Sequence, residues 1–372
     1  MSSADVVVVG AGIAGAGIAF ELARDARVVL VEAEDRPGYH TTGRSAAVYL
    51  KGYGNRVIRD LTAASEAFLT APPPGFAEVP LVTPRGALSL VREDQLARLG
   101  PTLELLHHHV PAARRVGPDE ILALVPALRP AYAVAGIFDP GARDMDVDAL
   151  FQGYLRGFKA RGGRLLTGAA AEQITRVDGG WTIETRSERL TAPIVVNAAG
   201  AWADRVAARA GLDPLGLVPK RRTALIVAGP AGFDVSGWPL VDDIDEEFYF
   251  RPEAKKLFCS PADETPVEPH DVQPEELDIA IAVDRIERAV PLDVRRIEHS
   301  WAGLRTFAPD KTPVVGFDPR AQGFFWLAGQ GGYGIQTAPA MALLASRLVR
   351  GLSAPDGLGH LLPALAPTRL VH

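Results

Sequence analysis

Apolar residues fall along this chain in two rhythms. Val6-Val7-Val8-Val9 and Val28-Val29-Leu30-Val31 are unbroken runs of strand length, the pattern of strands buried on both faces. Val147, Leu150, Phe151, Tyr154, Leu155 and Phe158 recur instead at helical spacing, and Gly162-Gly163 ends that stretch. A helix is also expected over 56–69, before Ala71-Pro72-Pro73-Pro74-Gly75, and another over 274–289. Residues 81–91 read as a hairpin turning at Pro84-Arg85-Gly86, and 134–138 as a strand ahead of Asp139-Pro140-Gly141. Residues 164–174, 181–185 and 194–196 read as strands returning to the opening sheet. Further strands are expected at 225–227, 248–250 and 257–259, with 274–289 as their covering helix. The end of the chain repeats its beginning, with a strand over 324–328, a glycine loop over 329–334 and a helix over 335–349. No internal repeat or low-complexity tract interrupts this order.

The opening unit carries chemistry. Gly10-Ala11-Gly12-Ile13-Ala14-Gly15 joins the first apolar run to an alanine-rich helix. Glycines there let the backbone turn sharply, approach a pyrophosphate closely and pack helix on strand, so that helix N-terminal amides face the phosphates. The second run ends at Glu32, 22 residues beyond Gly10, placed to accept hydrogen bonds from an adenosine ribose, with Ala33 beside it. A dinucleotide site follows from this combination, with FAD and NAD equally open at this point.

Composition narrows the classes. At 372 residues the chain is long enough for about two domains, and 47% hydrophobic with 23% charged residues is ordinary for a globular protein. A net charge of -6 argues against a general nucleic-acid binder. One cysteine, Cys259, excludes an intramolecular disulfide framework and multi-cysteine metal centres, and suits a reducing cytoplasmic setting. The first strand begins at once, so no cleavable leader is expected, and no apolar run is long enough for a membrane helix; peripheral membrane contact stays open.

Beyond the opening unit, His40-Thr41-Thr42-Gly43-Arg44-Ser45-Ala46-Ala47, Asn197-Ala198-Ala199-Gly200-Ala201-Trp202, Gly303-Leu304-Arg305-Thr306 and residues 329–337 stand as landmarks. With them the chain resembles, over nearly its full length, the flavin-dependent D-amino-acid oxidase superfamily, and their order and spacing look closest to bacterial D-arginine dehydrogenase. The resemblance implies an α/β fold with a glutathione-reductase-type, FAD-binding Rossmann domain, discontinuous over 1–75, 143–215 and 312–372. Inserted in it is an α+β substrate domain over 76–142 and 216–311, built on a mostly antiparallel sheet. It implies non-covalent FAD held by Gly10, Gly12, Ile13, Ala14, Gly15, Glu32, Ala33, Arg44, Ser45, Ala46, Ala199, Gly200, Trp202, Gly303, Gly331, Gly332, Tyr333, Gly334, Ile335 and Gln336. The closing loop supports this on its own physics, since glycines before a helix expose amides and a positive end to a ring that becomes negative on reduction.

The resemblance also places amino-acid recognition at Tyr53, Arg222, Tyr249 and Arg305, with Gln336 adding an amide at the flavin edge. Arg305 can grip a carboxylate through two parallel N–H bonds. The implied reaction is oxidative deamination of a D-amino acid by hydride transfer from Cα to flavin N5, giving an imine, then a 2-oxo acid and ammonia. No dedicated general base is visible, so alignment carries the chemistry, and good alignment lowers a barrier by ~7–11 kcal/mol.

Three pocket positions depart from D-arginine dehydrogenase. Ala87 aligns with the glutamate that meets the guanidinium, Val48 with a histidine and Leu50 with a threonine. An unpaired buried cation costs several kcal/mol, so neutral, apolar D-amino acids are expected over D-arginine. Asp242 could supply an acid from another direction, although the run Asp242-Asp243-Ile244-Asp245-Glu246-Glu247 reads as a solvated loop. His107-His108-His109 cannot share one face, so no metal is expected. His40 reads as a structural residue on the phosphate side.

Two other functions compete. One is oxidation of glycine or a secondary amine such as sarcosine by the same fold, and the other is a subunit whose FAD is structural. A nicotinamide dehydrogenase fits the closing loop less well. Oxygen and a quinone both stay open as the electron acceptor.

Overall fold

The computed structural model describes residues 2–371. Its centre is a six-stranded sheet in the order Arg164–Leu166, Val28–Val31, Val6–Val9, Ile194–Asn197, Phe324–Ala328, Val314–Phe317. All neighbours are parallel except the last pair. The unbroken valine runs belong here because both faces of the sheet are covered. On one face lie the helices Ile13–Leu22, Val147–Ala160 and Ala338–Val349. The first is apolar all round and almost wholly buried. Its alanines and glycines permit close approach: a Cβ on Gly17 would stand 3.1 Å from that of Ala342.

A four-stranded sheet covers part of the other face, in the order Ser2–Ser3, Arg189–Ala192, Gly180–Glu184, Gln173–Val177. Trp181 and Ile183 pack from it onto Val7, Val29 and Trp326 of the central sheet. This corrects the expectation for 164–196. Only 164–166 and 194–197 join the central sheet, and the antiparallel strands between them form this separate layer.

The second large sheet follows the order Thr265–Pro266, Val218–Ala228, Lys256–Ser260, Tyr249–Glu253, Leu240–Asp243, Ala87–Val91, Ala135–Asp139, Arg114–Val116, with His299–Phe307 paired to Val218–Ala228. It is antiparallel except where Leu240–Asp243 meets Ala87–Val91. Helix Glu276–Ala289 buries its apolar side, Ala282, Ile286 and Ala289, against this sheet. The expected hairpin over 81–91 does not form. Val82–Pro84 pairs with Arg143–Met145 in a small third sheet, and Ala87–Val91 joins the large one. At the turn between them the amides of Arg85 and Gly86 both donate to Ala142 O, so the chain changes sheets instead of doubling back. Among the described residues no helix is long and apolar enough to cross a membrane.

Candidate functional site

One cavity of about 1080 Å³ runs from the central sheet to the antiparallel one. That exceeds the ~300–1,000 Å³ usual for a single small ligand, and suits a long cofactor with a substrate at one end.

The first strand ends in Gly10, whose φ of +99° favours glycine, and a Cβ there would stand 2.6 Å from Ala198 O. A Cβ on Gly15 would reach 1.8 Å from Gly10 O. Gly15 therefore sits beneath the turn and acts through packing, whereas Gly10, Gly12, Ile13 and Ala14 line the cavity. The amides of Gly12 and Ala14 meet no acceptor among the described residues, and the first helical turn carries no acid. Glu32 accepts from Ala11 N at 2.8 Å and from Glu34 N at 3.0 Å, which fixes its carboxylate while leaving lone pairs toward the cavity, beside Ala33. Thr42, a lining residue the motif reading passed over, accepts from Ile13 N at 3.0 Å. A glycine cradle, free amides at a positive helix end and an oriented carboxylate together fit the pyrophosphate and ribose of FAD.

Ser45, Ala46, Ala199, Gly200, Trp202 and Gly303 line the middle. Arg44 also lines the cavity, and its guanidinium donates to Val272 O at 2.9 Å and Ala302 O at 3.1 Å and pairs with Asp271, so it clasps two chain segments as well. His40 pairs with Glu34 at 2.9 Å and lies 4.5 Å from the Trp202 ring. His109 pairs with Asp60 and His107 with Ala113 O. No grouping of three or more metal-ligating side chains occurs among the described residues.

The closing loop leaves the strand Phe324–Ala328 and lines the cavity with Gly331, Gly332, Tyr333, Gly334, Ile335 and Gln336. The amides of Gly332, Gly334, Ile335 and Gln336 meet no acceptor among the described residues, which suits the pyrimidine edge of a flavin. The side chain of Gln336 does not serve that edge. It accepts from Leu50 N at 3.1 Å and donates to Leu50 O at 3.3 Å and to Thr62 Oγ1 at 2.9 Å, tying the Val48–Tyr49 strand to the loop.

All four expected recognition residues meet at the other end. Arg305 Nη1 donates to Tyr53 OH at 3.4 Å, and its guanidinium lies over Gly332, where a Cβ would be 2.8 Å from Nη1. Tyr53 and Tyr333 rings stand 4.8 Å apart. Burial raises the pKa of both phenols. Burial acts the same way on Tyr249, but the charges of Arg305 and Arg222 outweigh it and lower its pKa. Arg222 is less available than expected: its Nε donates to Asp263 O at 2.8 Å and Nη2 lies 3.6 Å from Glu264. Arg305 has no carboxylate partner among the described residues.

Val48, Leu50, Ala87, Leu240 and Tyr249 form an apolar wall. Asp242 stands in it, which corrects the solvated-loop reading. It belongs to the strand Leu240–Asp243 and faces the cavity. Burial first, then Glu246 and Asp243, push its carboxyl up to about 8, against the lowering effect of Ser89. Ser89 was missed, although the alternation Ala87-Leu88-Ser89 puts it on the face of Ala87. Arg59 was missed too; it lines the cavity with a buried, unpartnered Nε.

A family profile described as FAD dependent oxidoreductase (DAO) matches residues 5–348. Glycine oxidase of Geobacillus kaustophilus (strain HTA426) is 26% identical over 365 residues, spanning 93% of this chain and 92% of that protein. Mitochondrial dimethylglycine dehydrogenase of Mus musculus is also 26% identical, over 361 residues and 89% of this chain, but the match covers only 40% of its length. The crystal structure of glycine oxidase from Geobacillus kaustophilus superposes with a TM-score of 0.86 at 24% identity, over 100% of both chains. These relatives act on glycine and dimethylglycine by name, which does not extend the resemblance to D-arginine dehydrogenase in particular.

Proposed function

This chain belongs to the FAD dependent oxidoreductase family, and on that premise we propose that it oxidises the carbon–nitrogen bond of a small amino acid or N-substituted glycine. The observation that carries this reading is Arg305, a guanidinium without a carboxylate partner among the described residues, lining the cavity between its apolar wall and the closing glycine loop. A cation left there is costly unless the ligand brings an anion. Arg305 binds the substrate carboxylate in a planar, two-bond grip. Tyr53 keeps that guanidinium oriented, and Tyr249 supplies a hydroxyl on the sheet side. Arg222, shared with Glu264, adds positive potential more than a direct bond.

FAD, when bound, supplies the two-electron acceptor. The free amides of Gly332, Gly334, Ile335 and Gln336 would hold one edge of its ring and favour negative charge there. Fixed at its carboxylate, the substrate presents its Cα and amine in one orientation. The product imine is hydrolysed by water to a 2-oxo acid and ammonia, or to a 2-oxo acid and an amine when the nitrogen was substituted.

Similarity to glycine oxidase and dimethylglycine dehydrogenase favours glycine, sarcosine and related secondary amines. The second reading is a D-amino acid with a side chain, favoured by the space that Ala87 leaves in the wall. Anaerobic mixing with glycine, sarcosine and a panel of D- and L-amino acids, followed by flavin absorbance, tests both. Bleaching by glycine or sarcosine supports the first reading, and bleaching confined to D-amino acids supports the second. A flavin that no member bleaches refutes both and leaves FAD a structural group.

A further inference from the structure

Asp242 and Asp243 are neighbours in one strand, so strand alternation sends their carboxyls to opposite faces of the sheet. The fold treats them differently. Asp243 is fully buried and receives Arg92 Nη1 at 2.6 Å, Gln95 Nε2 at 3.1 Å and the amide of Asp245 at 2.9 Å. Asp242 faces the cavity and, among the described residues, receives the side chain of Ser89 alone, whose Oγ is 3.0 Å from each carboxyl oxygen. One hydroxyl donates one hydrogen, so at most one of those contacts is a bond at any moment. No cationic side chain pairs with Asp242 among the described residues. A desolvated carboxyl with capacity to spare, in the wall of a ligand cavity, calls for a donor from the ligand.

Register shows where that donor stands. Ser89 lies opposite Asp242 on one side and Tyr249 on the other. One pair back on the same face, Ala87 lies opposite Leu240, so the acid sits at the end of the apolar wall. From the strand of Asp242 to that of Arg305 there are four strand intervals, about 19 Å at ~4.8 Å each. Side chains reaching inward from both ends shorten the gap, and what remains suits several methylenes between the two poles.

We propose that Asp242, oriented by Ser89, is a second recognition pole that selects a substrate with an ammonium or comparable donor at the far end of its side chain or N-substituent. This rests on the reading that Arg305 holds the carboxylate of the same molecule. The apolar preference expected from Val48, Leu50 and Ala87 then describes the wall and not the end of the pocket.

The test uses FAD-loaded protein and two pairs of probes. Calorimetry compares 6-aminohexanoate with hexanoate, which differ in the terminal ammonium and lack an α-amine. Anaerobic flavin bleaching compares lysine with norleucine, in both enantiomers. The wild type is expected to bind 6-aminohexanoate at least tenfold more tightly than hexanoate, and Asp242→Asn to bring that ratio close to one. Equal binding by the wild type overturns the proposal, whatever the variant does. So does a ratio that survives in Asp242→Asn. If that variant loses its fold, Ser89→Ala replaces it, with the ratio expected to fall severalfold. A tenfold ratio without bleaching by any amine upholds the pole and refutes oxidation. Bleaching by lysine and norleucine at equal apparent affinity upholds oxidation and refutes the pole.

Discussion

The two ends of the cavity are made of different atoms. At the cofactor end most contacts are main-chain amides from two short turns, 10–15 and 329–337, joined by the Glu32 carboxylate, and at Gly10 and Gly15 the backbone itself leaves no room for a Cβ. At the substrate end they are side chains gathered from several strands of the antiparallel sheet and from the segment after Val48–Tyr49: Arg305, Arg222, Tyr249, Asp242, Ser89 and Tyr53. A site made of backbone tolerates little change, because any added atom meets the fold itself. A site made of side chains can change its ligand while the sheet beneath stays as it is.

If this division is right, its steepest expression is at Gly15. Gly15→Ala drives a Cβ into Gly10 O, and the purified variant is expected to lose roughly an order of magnitude or more of its flavin, read as the ratio of flavin to protein absorbance. Flavin retained in full would break the comparison. Arg305→Ala should keep flavin and lose two to three orders of magnitude in kcat/KM, the scale of ~2–5 kcal/mol for truncating one partner of a buried charge pair. Loss of flavin in that variant would show that the two ends are not separable. Gln336 joins them, since its amide bonds both to Leu50 and to Thr62. Gln336→Ala is expected to cost about 1–3 kcal/mol in denaturant unfolding, through polar groups left unpaired, with a smaller effect on turnover.

An effect of similar size is in pH. Asp242 has its carboxyl raised from 3.8 to about 8, so between these values the folded protein binds more protons than the unfolded chain, and stability falls as pH rises through that window. Asp242→Asn removes this slope. Its midpoint in denaturant should gain on the wild type between pH 4 and pH 8, by about 1–3 kcal/mol, the cost of a desolvated polar group. Parallel curves would show that Asp242 is better solvated than its position implies.

The same division decided what could be read from residue order. Gly10 to Glu32 and the loop from Gly329 carry their chemistry within one stretch of chain, so their turn, strand and helix signals agree locally. The helices Arg56–Thr70 and Val147–Ala160 announce themselves by their apolar spacing. The sheets do not. Pro84-Arg85-Gly86 looks the same whether the chain doubles back or crosses to another sheet, and only pairing with 143–145 distinguishes the two. The acidic run at 242–247 reads as solvated because alternation is invisible when both neighbours are aspartates. Which of them meets Arg92 and which meets Ser89 depends on strands about 150 residues away. The clasp made by Arg44 is hidden from residue order for a similar reason, because its partners lie beyond residue 270.

The central sheet has a further consequence, for synthesis. Its strand Val6–Val9 emerges first, yet Phe324–Ala328 and the loop after it come more than 300 residues later. At ~5–20 residues per second on the ribosome, the interval is on the order of tens of seconds. For that time the opening valines and the glycine turn exist without the strand and loop that complete their layer. A cofactor held by both turns can therefore be gripped fully only after the closing loop has emerged, and a ligand that binds the native state alone draws the chain toward it.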